Sequence, residues 1–150
     1  MNKLFLIMFV MAVVASGQAI AQYSTGDTQL NLSLTKIDDD AKLNFSLFKT
    51  DLSTSYSVSA STINKWSVEF GFRGGEIYLI LELAKILKKS PDEVFKVYSA
   101  NRTKGWGAIS KELGIKPGSP EFHALKNGAG NKAQKSGGKP KTPAKGKGKN

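Results

Sequence analysis

His123 is the sole histidine of the chain, and there is no cysteine. A metal site built on imidazole or thiolate needs a second such ligand, while thiol catalysis and disulfides are excluded outright. A single imidazole works as a general base when another side chain orients it, and no such partner can be picked out by spacing. His123 is therefore expected to pack at the edge of the last helix. Asp38, Asp39 and Asp40 are contiguous rather than spaced as a D-x-D-x-D-G loop closed by glutamate, which argues against calcium. Inside a helix the three point in different directions and are expected to form a solvated face. The phosphate loop G-x-x-x-x-G-K-[ST] does not occur, and no Ser-His-Asp set stands out. The expectation is a protein with no catalytic residue, no cofactor and no metal, hence not an enzyme.

Gly105-Trp106-Gly107 is unusual, because a helix start rarely has glycine on both sides of a tryptophan. Either Trp106 is presented to a ligand over bare backbone, or the glycines permit a tight approach of two helices with Trp106 as a core plug. The alignment of Trp106 with Ile109 and Leu113 favours the structural version. In GAISKELGI a helix ends in Gly114 and Ile115, as in a helix-turn-helix. The following KPGSP turn is long for that motif, and the last helix offers only His123, Lys126 and Asn127 to a base edge or a phosphate. Nucleic-acid binding by residues 105–127 together with the basic tail is kept as the alternative reading, with sequence-specific recognition not expected.

The charged residues are unevenly placed. Residues 127–150 contain Lys132, Lys135, Lys139, Lys141, Lys145, Lys147 and Lys149, with no acid and no aromatic residue. Without Lys3 and these lysines the formal charge of +10 falls to +2, so the basic character belongs to the end of the chain. Such a Lys/Gly/Pro segment cannot bury enough to offset chain entropy and is expected to be disordered. Its lysines can neutralise phosphates or acidic sugars without fixed geometry, so anionic envelope polymers or lipids are its expected contacts. A protein partner for the body stays open.

Residues 1–21 have the pattern of an export signal. Lys3 is the positive start, Leu4 to Ala15 the apolar run and Ala19-Ile20-Ala21 a cleavage site before Gln22. The apolar run is short of the roughly 20 residues needed to span a bilayer, so no transmembrane helix is expected after cleavage. A periplasmic or secreted protein follows.

The body, residues 22–126, is expected to be all-α, a small orthogonal bundle of about six helices. Leu30, Leu34, Ile37, Ala41, Phe45, Phe48 and Leu52 recur at helical spacing and predict one long helix, capped by Asp27 or Thr28. A short helix around Ile63 and Trp66 opens at Ser59 or Ser61. EIYLILELAKIL, after Gly74-Gly75, is apolar over most of its circumference and predicts the central helix. Ser90-Pro91 with Glu93 forms a capping box, and Gly114 suits a helix end with Ile115 folded back. Ser119-Pro120 restarts a helix that Asn127-Gly128 is expected to stop.

From Glu76 to Lys126 the segments EIYLILELAK, PDEVFKVY, GWGAISKELGI and PGSPEFHALK resemble a family of small exported helical proteins of Gram-negative bacteria. The resemblance implies export and an all-α fold, and it brings no activity with it. The expected function is that of a non-enzymatic, envelope-associated or interaction protein whose cationic tail contacts anionic surfaces.

Overall fold

A computed structural model describes residues 23–136. The expected export signal, most of the expected tail, and Lys139, Lys141, Lys145, Lys147 and Lys149 lie outside the described residues. The described chain is all-helical: α1 (Thr28–Leu43), α2 (Phe45–Tyr56), α3 (Ala60–Val68), α4 (Gly74–Leu87), α5 (Pro91–Asn101), α6 (Trp106–Glu112) and α7 (Pro120–Ser136), with a 3-10 turn at Arg102–Lys104.

Helix α4 is the hub. Every residue from Gly74 to Ala84 is buried, and α1, α2, α3, α5 and α7 all pack on it. An apolar stripe wide enough to reach round the cylinder can be satisfied only by neighbours on several sides. The glycines that open α4 allow α1 to come very close. A Cβ on Gly75 would lie 2.4 Å from the Tyr23 hydroxyl and 2.7 Å from the Leu34 carbonyl oxygen.

Most helix ends follow their sequence signals. Asp27 caps α1 by accepting from the Leu30 N–H at 2.8 Å, and Ser59 caps α3. Ser90 and Glu93 close a reciprocal capping box on α5. Gly114 takes φ 72°, and the Ile115 N–H donates back to the Ser110 carbonyl at 2.8 Å while its side chain is buried.

Two expectations fail. The long first helix is two helices, broken at Asn44 (φ −151°, ψ 83°), whose side chain accepts from the Leu47 N–H at 3.0 Å. The apolar rhythm continues across the break because Phe48 and Leu52 of α2 enter the same core as Ile37 and Ala41 of α1. The last helix does not stop at Asn127-Gly128. It runs to Ser136 and buries Leu125, Ala129 and Ala133 at i, i+4 and i+8 against α1 and α4. The helix therefore runs past the boundary expected at residue 126, and Lys132 and Lys135 are helical residues rather than part of a disordered tail. Tertiary packing has overridden the weak helix propensity of glycine and asparagine.

Candidate functional site

Two polar clusters lie within this fold, on different sides of α4. The first joins α1, α4 and α5. Asp38 is only 3% exposed; its Oδ1 accepts from the Tyr23 hydroxyl at 2.8 Å and from the Gly75 N–H at 2.7 Å. Arg73 lies 3.5 Å from the Asp38 Oδ2 and stacks over the Tyr23 ring. Glu76, equally buried, accepts from the Arg73 N–H at 2.9 Å and from the Arg102 Nε and Nη2 at 2.8 and 2.7 Å. The Tyr98 hydroxyl adds a longer contact to the Glu76 Oε1 at 3.3 Å.

Burial raises the Asp38 carboxyl above the ordinary aspartate range against the opposing pull of the Gly75 N–H, Tyr23 and Arg73. Burial also pushes the Tyr23 and Tyr98 hydroxyls far up, so both remain donors at any ordinary pH. The two hydrogen bonds that Arg102 donates to the Glu76 carboxylate keep the guanidinium firmly charged. With its acceptors already satisfied from within, this cluster serves as a structural joint. Asp38 thus departs from the expected solvated face; Asp39 keeps to it, exposed beside Lys42 at 3.4 Å.

The second cluster borders a groove of about 690 Å³ between α1, α2, α4 and α7, which Tyr78 and Glu82 line. Buried Glu82 accepts from the Tyr56 hydroxyl at 2.5 Å, and the Lys85 ammonium stands 3.7 Å from its Oε1. Tyr78 meets Tyr56 edge-on with ring centroids 6.3 Å apart. Burial raises both hydroxyls well above the ordinary phenol value, which keeps them protonated as donors. Gly128 closes one side, where a Cβ would lie 2.5 Å from the Glu82 Oε1. Lys132 pairs with Asp51 and lies over the Phe48 ring, while Lys135 lines the outer wall. The groove can offer hydroxyl and ammonium donors beside carboxylate acceptors, which suits binding a polar group.

The residues singled out in the sequence do not converge on either cluster. His123 is exposed on α7 rather than packed, and it does not line the groove. Trp106 is half-buried, with the Phe122 ring centroid 6.5 Å away. The tight helix approach expected at Gly105 and Gly107 is absent, since a Cβ on either would meet nothing within 4 Å. Gly105 instead takes φ 87° at the start of α6. The close approaches are at Gly74, Gly75 and Gly128. Among the described residues no group of three or more His, Asp or Glu is placed to hold a metal.

Helices α6 and α7 meet through Trp106 and Phe122, but the main packing of each is elsewhere. Helix α6 packs on α5 and the 3-10 turn, whereas α7 uses its apolar face on α1 and α4. Among the described residues no helix is long and apolar enough to cross a membrane. The polar cluster that sequence reasoning missed is Tyr56, Tyr78 and Glu82. They lie on two helices, and only folding brings Tyr56 to Glu82.

No family model matches this chain, and comparisons with curated proteins and with solved structures also find no match.

Proposed function

We propose that this is an exported, non-enzymatic interaction protein whose basic C-terminal end holds it at anionic envelope polymers or lipids. One observation carries the reading. After Glu121 the chain has no acidic residue, and the lysines of α7 lead without interruption into Lys139, Lys141, Lys145, Lys147 and Lys149. Such a run attracts phosphate or acidic sugar by charge density and needs no fixed geometry.

The described body supports a holding role in two ways. Its most buried carboxylates are already engaged by Tyr23, Tyr56, Arg73 and Arg102, leaving the lysine-rich end as the strongest concentration of like charge. Its helix α7 is fixed to α1 by the Lys126–Asp27 pair at 2.8 Å, which gives the basic segment a rigid point of departure. The N-terminal pattern of Lys3, Leu4 to Ala15 and Ala19-Ile20-Ala21 supports export. The main packing of α6 on α5 rather than on α7 favours this reading over a helix-turn-helix.

The test compares residues 22–150 with residues 22–136 for co-sedimentation with vesicles of phosphatidylglycerol and phosphatidylethanolamine, and for binding to anionic polysaccharide. The longer chain is expected to bind both at low salt and the shorter one at least about tenfold more weakly. Equal binding by the two would refute the proposal.

A further inference from the structure

The groove between α1, α2, α4 and α7 holds about 690 Å³, a size that suits a small ligand or a short peptide. Its three acids and three lysines pair off almost completely. Lys85 stands 3.7 Å from Glu82, and Lys132 is committed to Asp51. Two charged residues of the wall are left over. Asp40 of α1 makes no ion pair, and Lys135 of α7 is exposed with no carboxylate partner among the described residues. One spare acid and one spare lysine suit neither a polyanion nor a polycation. They suit a molecule that carries one charge of each sign.

Asp40 supplies a second observation. Its Oδ2 is shut away from solvent, and among the described residues it alone of the buried side-chain oxygens and nitrogens has no hydrogen-bond partner. A buried acceptor without a donor is costly, and native proteins leave few of them. The fully buried carboxylates are all answered from within: Asp38 by Tyr23 and the Gly75 N–H, Glu76 by Arg102, and Glu82 by Tyr56. Asp40 lines a groove instead, where a ligand can bring the missing donor. Its two oxygens exchange by rotation about χ2, so either can turn to that donor. An ammonium makes the stronger, charge-assisted bond to a carboxylate. The rest of the wall is partly apolar, with Leu43 85% and Leu47 66% exposed beside buried Phe48.

We propose that the groove binds a small zwitterion of the amino-acid type, a free α-amino acid or a short peptide. Its ammonium meets Asp40, its carboxylate meets Lys135, and its side chains lie against Leu43, Leu47 and Phe48. The site makes no use of the lysines after Ser136, so it stands apart from the holding role of the basic end.

The experiment follows the amide chemical shifts of ¹⁵N-labelled residues 22–150 as the twenty free amino acids, dialanine and trialanine are added at millimolar concentration. Saturable shifts are expected at Asp40, Leu43, Gly128 and Lys135 with at least one of them. Acetylating the amine of that ligand, or Asp40→Asn, should weaken binding about tenfold or more, as loss of a charge-assisted bond does. Amidating its carboxylate, or Lys135→Met, should weaken binding about threefold, because this pair is exposed. Circular dichroism checks the fold of each variant. The blocked ligands repeat the test on the unaltered chain, should a variant not fold.

No saturable shift at these amides with any of the compounds overturns the site. Equal binding of the acetylated ligand, or of the free ligand by the Asp40→Asn chain, overturns it too and leaves the Asp40 acceptor to water. Binding that persists when Lys139, Lys141, Lys145, Lys147 and Lys149 are changed to Gln upholds a site in the folded body, and binding lost with them overturns it.

Discussion

Gly128 and Gly130 sit two positions apart on α7, yet their surroundings demand opposite responses to an added methyl group. In an open helix interior, glycine to alanine gains about 0.5–1 kcal/mol. At Gly130 nothing stands within 4 Å of the new Cβ, so Gly130→Ala should realise that gain in urea unfolding. At Gly128 the Cβ would lie 2.5 Å from the Glu82 Oε1 and 3.1 Å from the Tyr78 hydroxyl, which must give way. Gly128→Ala should therefore destabilise by about 1–3 kcal/mol, the usual range for overpacking. A gain at both positions would mean that α7 does not lie on Glu82 as described. Arg102 is another residue whose loss should be felt. Arg102→Ala leaves buried Glu76 short of its bidentate partner and should cost about 3 kcal/mol in the same assay. None of these environments could be read from the sequence. Glu76 and Arg102 are 26 residues apart, as are Tyr56 and Glu82, and spacing alone does not say which distant side chains will meet.

The helix boundaries show how far local chemistry reaches. Ser90-Pro91 with Glu93, Asp27 before α1 and Gly114 after α6 are signals whose partners lie within a few residues, and the structure follows them. Asn44 acts locally as well, but a continuous apolar rhythm concealed it. The continuation of α7 beyond Gly128 depends on α1 and α4, so propensity placed its end too early. Hydrogen exchange should accordingly show protected amides from Leu125 to Ala133, at the level of α1; free exchange there would contradict the docking of Ala129 and Ala133. The α1–α7 joint also has a pH signature. The hydrogen bond from Lys126 holds the Asp27 carboxyl below its ordinary value of 3.8. Its contribution to stability is present above that value and is lost as the pH falls toward the lower folded value. Asp38 has the opposite sign, because a raised carboxyl favours the fold at low pH and loses that contribution as the pH climbs from 3.8 to its raised value. Lys126→Met should therefore flatten the acid side of the stability profile, as followed by urea midpoints from pH 2 to 6. An unchanged profile would show that the pair contributes nothing.

For the whole molecule, the division into a nearly neutral body and a basic end was visible in the composition, and the all-helical fold was visible in the periodicity. The position of the division was not. Helix α7 runs past residue 126 to Ser136, and the first residues of the supposed tail line the wall of a groove. That shift changes the electrostatic accounting, since Lys132 is already committed to Asp51. On the proposed reading, the lysines beyond α7 hold the protein to polyanions by charge. The most direct measurement is the salt dependence of binding to a random-sequence DNA duplex, used as a polyanion of known charge spacing, by residues 22–150. With the five lysines after Ser136 on phosphates, log K against log salt should have a slope of about −4.5. Changing Lys139, Lys141, Lys145, Lys147 and Lys149 to Gln should bring that slope close to zero. A slope that survives the change, or binding that then depends on DNA sequence, would contradict the account and place recognition in the folded body.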